Sequence, residues 1–371
     1  MAAPPDHRRS SSHPADPGVA PAADGPGAGD RPGALHLAGV DVGGTKLQVV
    51  VTDADFTVRG EGRAPTPQSG GPPAVAAAIC ELVAEALTRA GAPRLGAVGV
   101  GAPGTVDRAT GIVARSPNLA GWFDPFPLGP ELSGQLGVPV VVDNDVRIGM
   151  LGEHRLGAAK GYADALGVWF GTGVGGALIL GGDLRLGRIG SCGEIGHVCV
   201  WPGGRRCGCG RRGCLEAYAG RASMERRATK LVEKGHRTEL FTLMAKRHRE
   251  HLTSSVIADS LEQGDRLAHA LIADAVEAAG AAIASVCNVV DVEVVVIGGG
   301  LGSRLGQPFA ELIAGAMQPH LFVDGADSVR VLTGGLGDLA GSLGAASEAA
   351  AVLATAGRPR SRAAATSVAR S

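Results

Sequence analysis

From Leu35 onward, short runs of branched apolar residues are separated by glycine-rich breaks. LHLAGVDV, a GGT turn, KLQVVVTD and FTVRGEGR together predict a meander of three short strands. The period then changes. Across Pro73–Ala90 the residues Val75, Ile79, Leu82, Val83, Ala86 and Leu87 recur at helical spacing and form one apolar stripe. Strands are expected at Leu95–Gly101 and Val138–Val142, followed by a helix over Val146–Ala159. The pattern restarts near Ala165: ALGVWFGTGVGGALIL is again strand, glycine turn, strand. A helix from about Asp265 to Val290 leads into the strand VEVVVIGGG, and Gly341–Ala356 reads as a last helix that crosses back to the first half. The two halves look like relatives, so the expectation is two α/β domains with a cleft between them.

Composition narrows this picture. The 371 residues suit about two domains, and 45% hydrophobic content is ample for two cores. Fifty-nine Gly against 3% aromatics imply many tight turns and an aliphatic interior. A formal net charge of −1 argues against nucleic acid or an anionic membrane as the main partner. No apolar run approaches the roughly 20 residues of a membrane span. Residues 1–34 lack Ile, Leu, Phe, Trp and Tyr and are expected to be a disordered tail, as is the basic segment 357–371. The expected domains are therefore 35–145, completed by 341–356, and 146–340. The expectation is a soluble cytoplasmic protein.

The densest chemistry lies in HVCVWPGGRRCGCGRRGCLE, from His197 to Glu216. His197, Cys207, Cys209 and Cys214 make one four-ligand set for a tetrahedral, structural Zn2+. Arg205, Arg206, Arg211 and Arg212 offset the thiolate charge. The alternative is a disulfide-stapled loop, which seven Cys spread over 371 residues do not favour. Cys80, Cys192, Cys199 and Cys287 read as small buried apolar residues.

Asp41, Gly43, Gly44, Thr45 and Lys46 form a strand end and turn suited to phosphate: backbone N–H groups, a hydroxyl, a cation, and an acid able to hold Mg2+ through water. Gly171, Thr172 and Gly173 repeat the arrangement in the second half, and Gly298, Gly299 and Gly300 after an apolar strand suit close approach by a nucleotide. Alone, either turn could be a hairpin without a ligand. Asn144 and Asp145 end the strand VVVDND; they fit helix capping, or a general base (Asp145) with an orienting amide (Asn144). Glu194, His197 and Glu216 add groups that grip vicinal hydroxyls, as a sugar site requires.

Taken together, GEIGH followed by CGCGRRGCLEAY, with DVGGTK, GAPG, NDV and GTGVGG, resembles the ROK family (repressors, open reading frames and sugar kinases) and most of all its bacterial glucokinases. The resemblance spans about His36–Ala356. It implies a two-domain actin-like/hexokinase-like ATPase fold with an interdomain cleft and a zinc-binding loop. It also implies Asp145 as catalytic base and Gly104, Asn118, Asn144, Glu194, His197 and Glu216 at the sugar. ATP phosphates would lie on Asp41–Lys46 and Gly171–Gly176, with adenosine near Gly298–Gly300. Two positions depart: Arg147 stands where many members have Asn, and Gly220 where Ser is common. The expected activity is ATP-dependent phosphorylation of a hexose, glucose foremost, with N-acetylmannosamine or fructose as alternative acceptors. A sugar-responsive regulator is the alternative from another class, and residues 1–34 are too short and apolar-poor for its winged helix-turn-helix. Partners are expected to be a small-molecule sugar and a nucleotide, with the chain as a homo-oligomer, dimer or tetramer.

Overall fold

The computed structural model describes residues 35–91, 94–116, 119–322 and 329–356, so Asn118 and both expected tails lie outside the described residues. Strands β1 (His36–Val42), β2 (Lys46–Thr52) and β3 (Val58–Pro65) form the expected antiparallel meander. Helix α1 (Gly71–Arg89) carries a proline in its first turn, where no N–H is needed, and begins two residues before the expected Pro73. It leads to β4 (Leu95–Ala102), parallel to β1. A ribbon of β5 (Thr105–Asp107) and β6 (Ile112–Arg115) and the helix α2 (Leu128–Leu136) precede β7 (Val140–Asn144), parallel to β4. The first sheet therefore runs β3-β2-β1-β4-β7.

After α3 (Asp145–Leu156) the scheme is repeated. Strands β8 (Ala165–Phe170), β9 (Val174–Leu180) and β10 (Asp183–Leu184) form a second meander. Helices α4 (Glu216–Ala219), α5 (Arg221–Val232), α6 (Leu240–Lys246), α7 (Ser254–Glu262) and α8 (Arg266–Val290) follow. Then β11 (Val294–Gly298) lies parallel to β8, and after α9 (Gly299–Met317), β12 (Arg330–Thr333) lies parallel to β11. The second sheet runs β10-β9-β8-β11-β12, the same order as the first, 3-2-1-4-5, once the five strands of each sheet are numbered in chain order and the β5-β6 ribbon is set aside. The chain closes with α10 (Ala340–Ala356).

Helices α1 and α2 cover one face of the first sheet, where Val75, Ile79 and Leu132 meet Val40, Val49 and Val98. Helix α10 covers the other, with Leu343, Ala346 and Ala349 against Leu37, Val50 and Ala97. By length and composition, α1 and α8 are long and apolar enough to cross a membrane, contrary to the expectation that no apolar run reaches that length. Alanine explains the difference in α8, being mildly apolar without forming a conspicuous run. Both helices place their apolar sides in the cores, Ile79 and Leu82 in one, Leu271 and Ile283 in the other.

Helix α10 lies unusually near its neighbours because glycines face it. A Cβ on Gly39 of β1 would sit 1.8 Å from the Ser342 carbonyl oxygen, and one on Gly99 of β4 would sit 1.9 Å from that of Ala345. Gly344 of α10 meets the Ile148 carbonyl of α3 in the same way, at 2.0 Å. These contacts are backbone against backbone, so no rotamer change relieves an added methyl. Gly99→Ala is expected to destabilise the protein by about 3 kcal/mol through overpacking. Gly134→Ala in α2, where a Cβ meets nothing within 4 Å, serves as control and is expected to leave the thermal midpoint unchanged or raised. Equal midpoints for the two variants would contradict this account of the packing.

Candidate active site

The first glycine turn is held from behind. Thr66 Oγ1 donates to the Gly43 carbonyl at 2.6 Å, and Gln68 Nε2 donates to that of Gly44 at 3.1 Å. In a trans peptide the N–H points opposite the C=O, so the N–H groups of Gly44 and Thr45 turn to the other side. The second turn is built on the same logic. The backbone N–H groups of Arg221 and Ala222, opening α5, donate to the carbonyls of Gly171 at 3.1 Å and Thr172 at 3.0 Å. The N–H groups of Thr172 and Gly173 therefore point away from α5. Each turn satisfies its carbonyls internally and leaves donors for an anion.

A cavity of about 230 Å³ brings together Asp41, Lys46, Asp145, Gly299 and Gly300. Gly171, Thr172 and Gly173 are not part of its wall. Gly337 and Asp338, which sequence reasoning missed, are, and Lys46 Nζ lies 3.9 Å from Asp338 Oδ2. Their only sequence signal is a further glycine cluster, LTGGLGDLAG. The segment is held by Glu153 of α3, buried to 1% exposure, whose carboxylate accepts from the N–H groups of Gly335 at 2.9 Å and Leu336 at 3.0 Å.

The third glycine cluster has a different reason from the expected one. A Cβ on Gly298 would lie 2.7 Å from the Trp169 ring, and Gly299 has φ 76° with its Cβ position 2.7 Å from the Phe170 carbonyl. Both glycines are required by the neighbouring strand β8. Gly300 alone is open, with only Ser254 Oγ near its Cβ position, at 3.4 Å.

Burial raises the Asp41 carboxyl to about 7, reinforced by the Asp145 carboxylate and partly offset by Lys46. Burial likewise raises Asp145, against the backbone N–H of Val146, which donates to its Oδ1 at 3.0 Å. Asn144 is the cap of α3: its Oδ1 accepts from the N–H groups of Val146 at 3.1 Å and Arg147 at 3.3 Å. Its Nδ2 donates to the Gly104 carbonyl at 3.2 Å. Gly104 has φ 99°, and a Cβ there would sit 2.0 Å from the Arg115 carbonyl oxygen, so its identity is dictated by the backbone. Asp143 is fully buried between Arg108 Nη1 and Arg147 Nε, each at 2.9 Å; Arg147 Nη1 also donates to the Gly190 carbonyl at 3.2 Å. Arg108 also pairs with Glu348 of α10.

In the second half, one ligand atom from each of His197, Cys207, Cys209 and Cys214 lies within 4.8 Å of the others. Cys209 and Cys214 Sγ are 3.8 Å apart, and Cys207 Sγ is 3.9 Å from His197 Nδ1. Sulfur atoms bound about 2.3 Å from zinc at tetrahedral angles are about 3.8 Å apart, so the donor set fits that ion. All seven cysteines are free, which removes the stapled-loop alternative. Burial pushes the Cys207 thiol up to about 12, whereas Cys209 is drawn down to about 6, chiefly by the Arg211 backbone N–H. Cys199 is exposed and not buried as expected: it bridges Cys214 through the backbone, and its thiol reaches the Arg212 carbonyl at 3.7 Å, outside the cluster. Cys80 and Cys192 are only half-buried.

Glu216 joins the cluster to the second glycine turn. Its Oε2 accepts from the Val174 N–H at 3.1 Å, and Cys207 Sγ donates to its Oε1 at 3.5 Å. A Cβ on Gly173 would lie 2.3 Å from that Oε2, so Gly173 is glycine to admit Glu216, whatever else the turn binds. Glu194 is exposed, and its carbonyl accepts the His197 N–H at 3.0 Å, which fixes the turn carrying the imidazole.

The chain matches the ROK family over residues 37–351. It is 35% identical over 317 residues to a glucokinase of Thermotoga maritima, covering 84% of this chain and 96% of that one. Among solved structures, a ROK hexokinase from Thermus thermophilus superposes with a TM-score of 0.72 at 33% identity, covering 86% of this chain and 100% of the other. A ROK family glucokinase from Streptomyces griseus, in complex with glucose and AMPPNP, gives 0.71 at 32% identity, covering 85% and 99%. The paired α/β sheets thus have the actin-like/hexokinase-like ATPase architecture, and the chain belongs to the ROK family.

Proposed function

We propose that this protein is an ATP-dependent hexose kinase whose first acceptor is glucose, converted to glucose 6-phosphate. The observation that carries the reading is the cavity in which two carboxyls of raised pKa, Asp41 and Asp145, face Lys46 and the open Gly300. A buried carboxylate is a stronger base than an exposed one, which suits Asp145 to take the proton of the sugar hydroxyl as its oxygen attacks the γ-phosphorus. ADP then leaves, its charge met by Lys46 and the outward N–H groups of Gly44 and Thr45. Phosphoryl transfer needs such positioning and neutralisation more than covalent help. Asp41 is the candidate to hold Mg2+ through water, and the turn at Gly171–Gly173 the candidate second phosphate contact. The sugar is assigned to Asn144, Glu194, His197 and Glu216, beside the Gly104 carbonyl.

His197, Cys207, Cys209 and Cys214 fit a structural Zn2+, which when bound neutralises the thiolates and stiffens their loop. His197 turns Nδ1 to the cluster and so keeps Nε2 for a hydroxyl. The working division is 35–145 with the last helix on one side and 146–340 on the other. A reducing cytoplasm suits seven free thiols.

A coupled assay over glucose, N-acetylmannosamine and fructose, each with ATP, is expected to give the highest kcat/KM with glucose; no turnover with any sugar would end the kinase reading. In the same assay Asp145→Asn should lower kcat by about 10² or more while the glucose Kd stays within about threefold. Near wild-type kcat would remove Asp145 from the chemistry.

The zinc assignment is checked by elemental analysis beside calorimetry. Cys209→Ser should lose the metal and weaken sugar binding about tenfold or more, because the loop positions His197 and Glu216. Binding of a non-hydrolysable ATP analogue should change by less than about threefold, since the Gly171 and Thr172 carbonyls remain tied to α5. A metal-free variant with normal sugar affinity would break the link.

Asp41 also predicts a pH signature. Its folded pKa, about 7, lies above the ordinary 3.8, so the native state holds a proton that the unfolded chain releases, and stability falls as pH rises between those values. In magnesium-free buffer, Asp41→Asn should therefore raise the thermal midpoint above pH about 7, and the gain should shrink as pH falls toward about 4. A gain independent of pH would mean that packing, not ionisation, is what the substitution relieves.

A further inference from the structure

A second cavity, of about 560 Å³, opens between α5, α8 and the loop that carries the cysteine cluster, and shares no wall residue with the first. Its polar wall is almost entirely cationic: Arg205, Arg227, Arg237 and Arg266, with His236, against the single carboxylate of Asp274. Its floor is apolar, from Leu231, Leu267, Ala270 and Leu271. Asp274 is already engaged by Arg205, whose guanidinium also lies 4.6 Å from the centre of the Tyr218 ring. Arg227, Arg237 and Arg266 have no acidic partner among the described residues, and Arg227 Nε is buried without a hydrogen-bond partner. The neighbouring Asp265 does not fill that role: its carboxylate accepts from Ala268 N–H, Thr238 Oγ1 and Glu239 N–H.

Guanidinium groups converging without counter-charge repel one another, and a buried unpaired donor carries a desolvation cost; a dianion relieves both. Phosphate oxygens match the guanidinium fork, while the apolar floor accommodates a carbon skeleton. A chain of net charge −1 has no general attraction for polyanions, so the charge here is local. We propose that this cavity binds a small phosphate monoester, with its phosphate on Arg227, Arg237 and Arg266 and its organic part over Leu231 and Leu271.

The test is calorimetric titration of the full chain with its cleft saturated by glucose and a non-hydrolysable ATP analogue, so that heat reports only sites elsewhere. Glucose 6-phosphate and inorganic phosphate are the two probes. The expected result is one site per chain for glucose 6-phosphate, bound more tightly than inorganic phosphate because only the ester covers the apolar floor. Arg237→Glu and Arg266→Glu, both at exposed positions, should each weaken it about tenfold or more. Lys234→Glu makes the same charge change on the same surface outside the cavity wall and should alter binding by no more than about twofold. Thermal midpoints of the variants without ligand confirm that each is folded. No heat with either probe at millimolar concentration would overturn the proposal. So would binding that survives both arginine reversals, or that falls equally with Lys234→Glu.

Discussion

The backbone contact of α10 with β1, β4 and α3 is the constraint on which the rest of the molecule depends. It exists because Gly39, Gly99 and Gly344 present no side chain where carbonyls of the neighbouring elements arrive. With α10 so near, the end of β1 and the start of α3 are drawn to one place. Gly341, near the start of α10, lies against Asp41 so closely that a Cβ would be 2.7 Å from its Cγ. Asp145, the first residue of α3, faces the same cavity. The two carboxyls are thus desolvated by helix packing, and their raised pKa values follow from that burial more than from each other's charge.

Several residues around the cavity serve the fold and the chemistry at once. Asn144 caps α3 and reaches the Gly104 carbonyl. Glu216 links the cysteine cluster to the second glycine turn. The first turn of α3 approaches the start of β9, just after that turn, since a Cβ on Gly175 would lie 2.7 Å from Val146 Cγ2. The chain of Arg147, Asp143, Arg108 and Glu348, buried except at the half-buried Arg108, fixes this geometry further, tying α3, β7 and α10 together with charges that are each matched by an opposite partner.

Much was legible in the amino-acid order alone, wherever the governing contacts are local. The meanders follow from branched residues in short runs and the helices from apolar residues at three- and four-residue spacing. The four-ligand set follows from donors close in the chain, which a short glycine-rich loop must bring together. Even the repeat of one strand order in two sheets was foreshadowed by two glycine turns in matching positions.

What the sequence alone could not decide depends on which elements stack on which. Gly298 and Gly173 look alike in the sequence as turn glycines, yet one yields to the Trp169 ring and the other to Glu216, contacts set by packing of distant segments. Asp338 joins the cavity only because Glu153, 182 residues before Gly335, anchors its loop. Cys199, bridged through the backbone to the ligand Cys214, nevertheless lies exposed outside the cluster with its thiol on the Arg212 carbonyl, a placement that its spacing from His197 does not reveal. The pKa of Asp41 belongs to the same class, since desolvation depends on every atom packed around a group and not on its neighbours in the chain. Local order determined the elements and the donor sets; tertiary packing decided which polar groups were left dry, paired or open, because burial is a sum over contacts that sequence spacing does not encode.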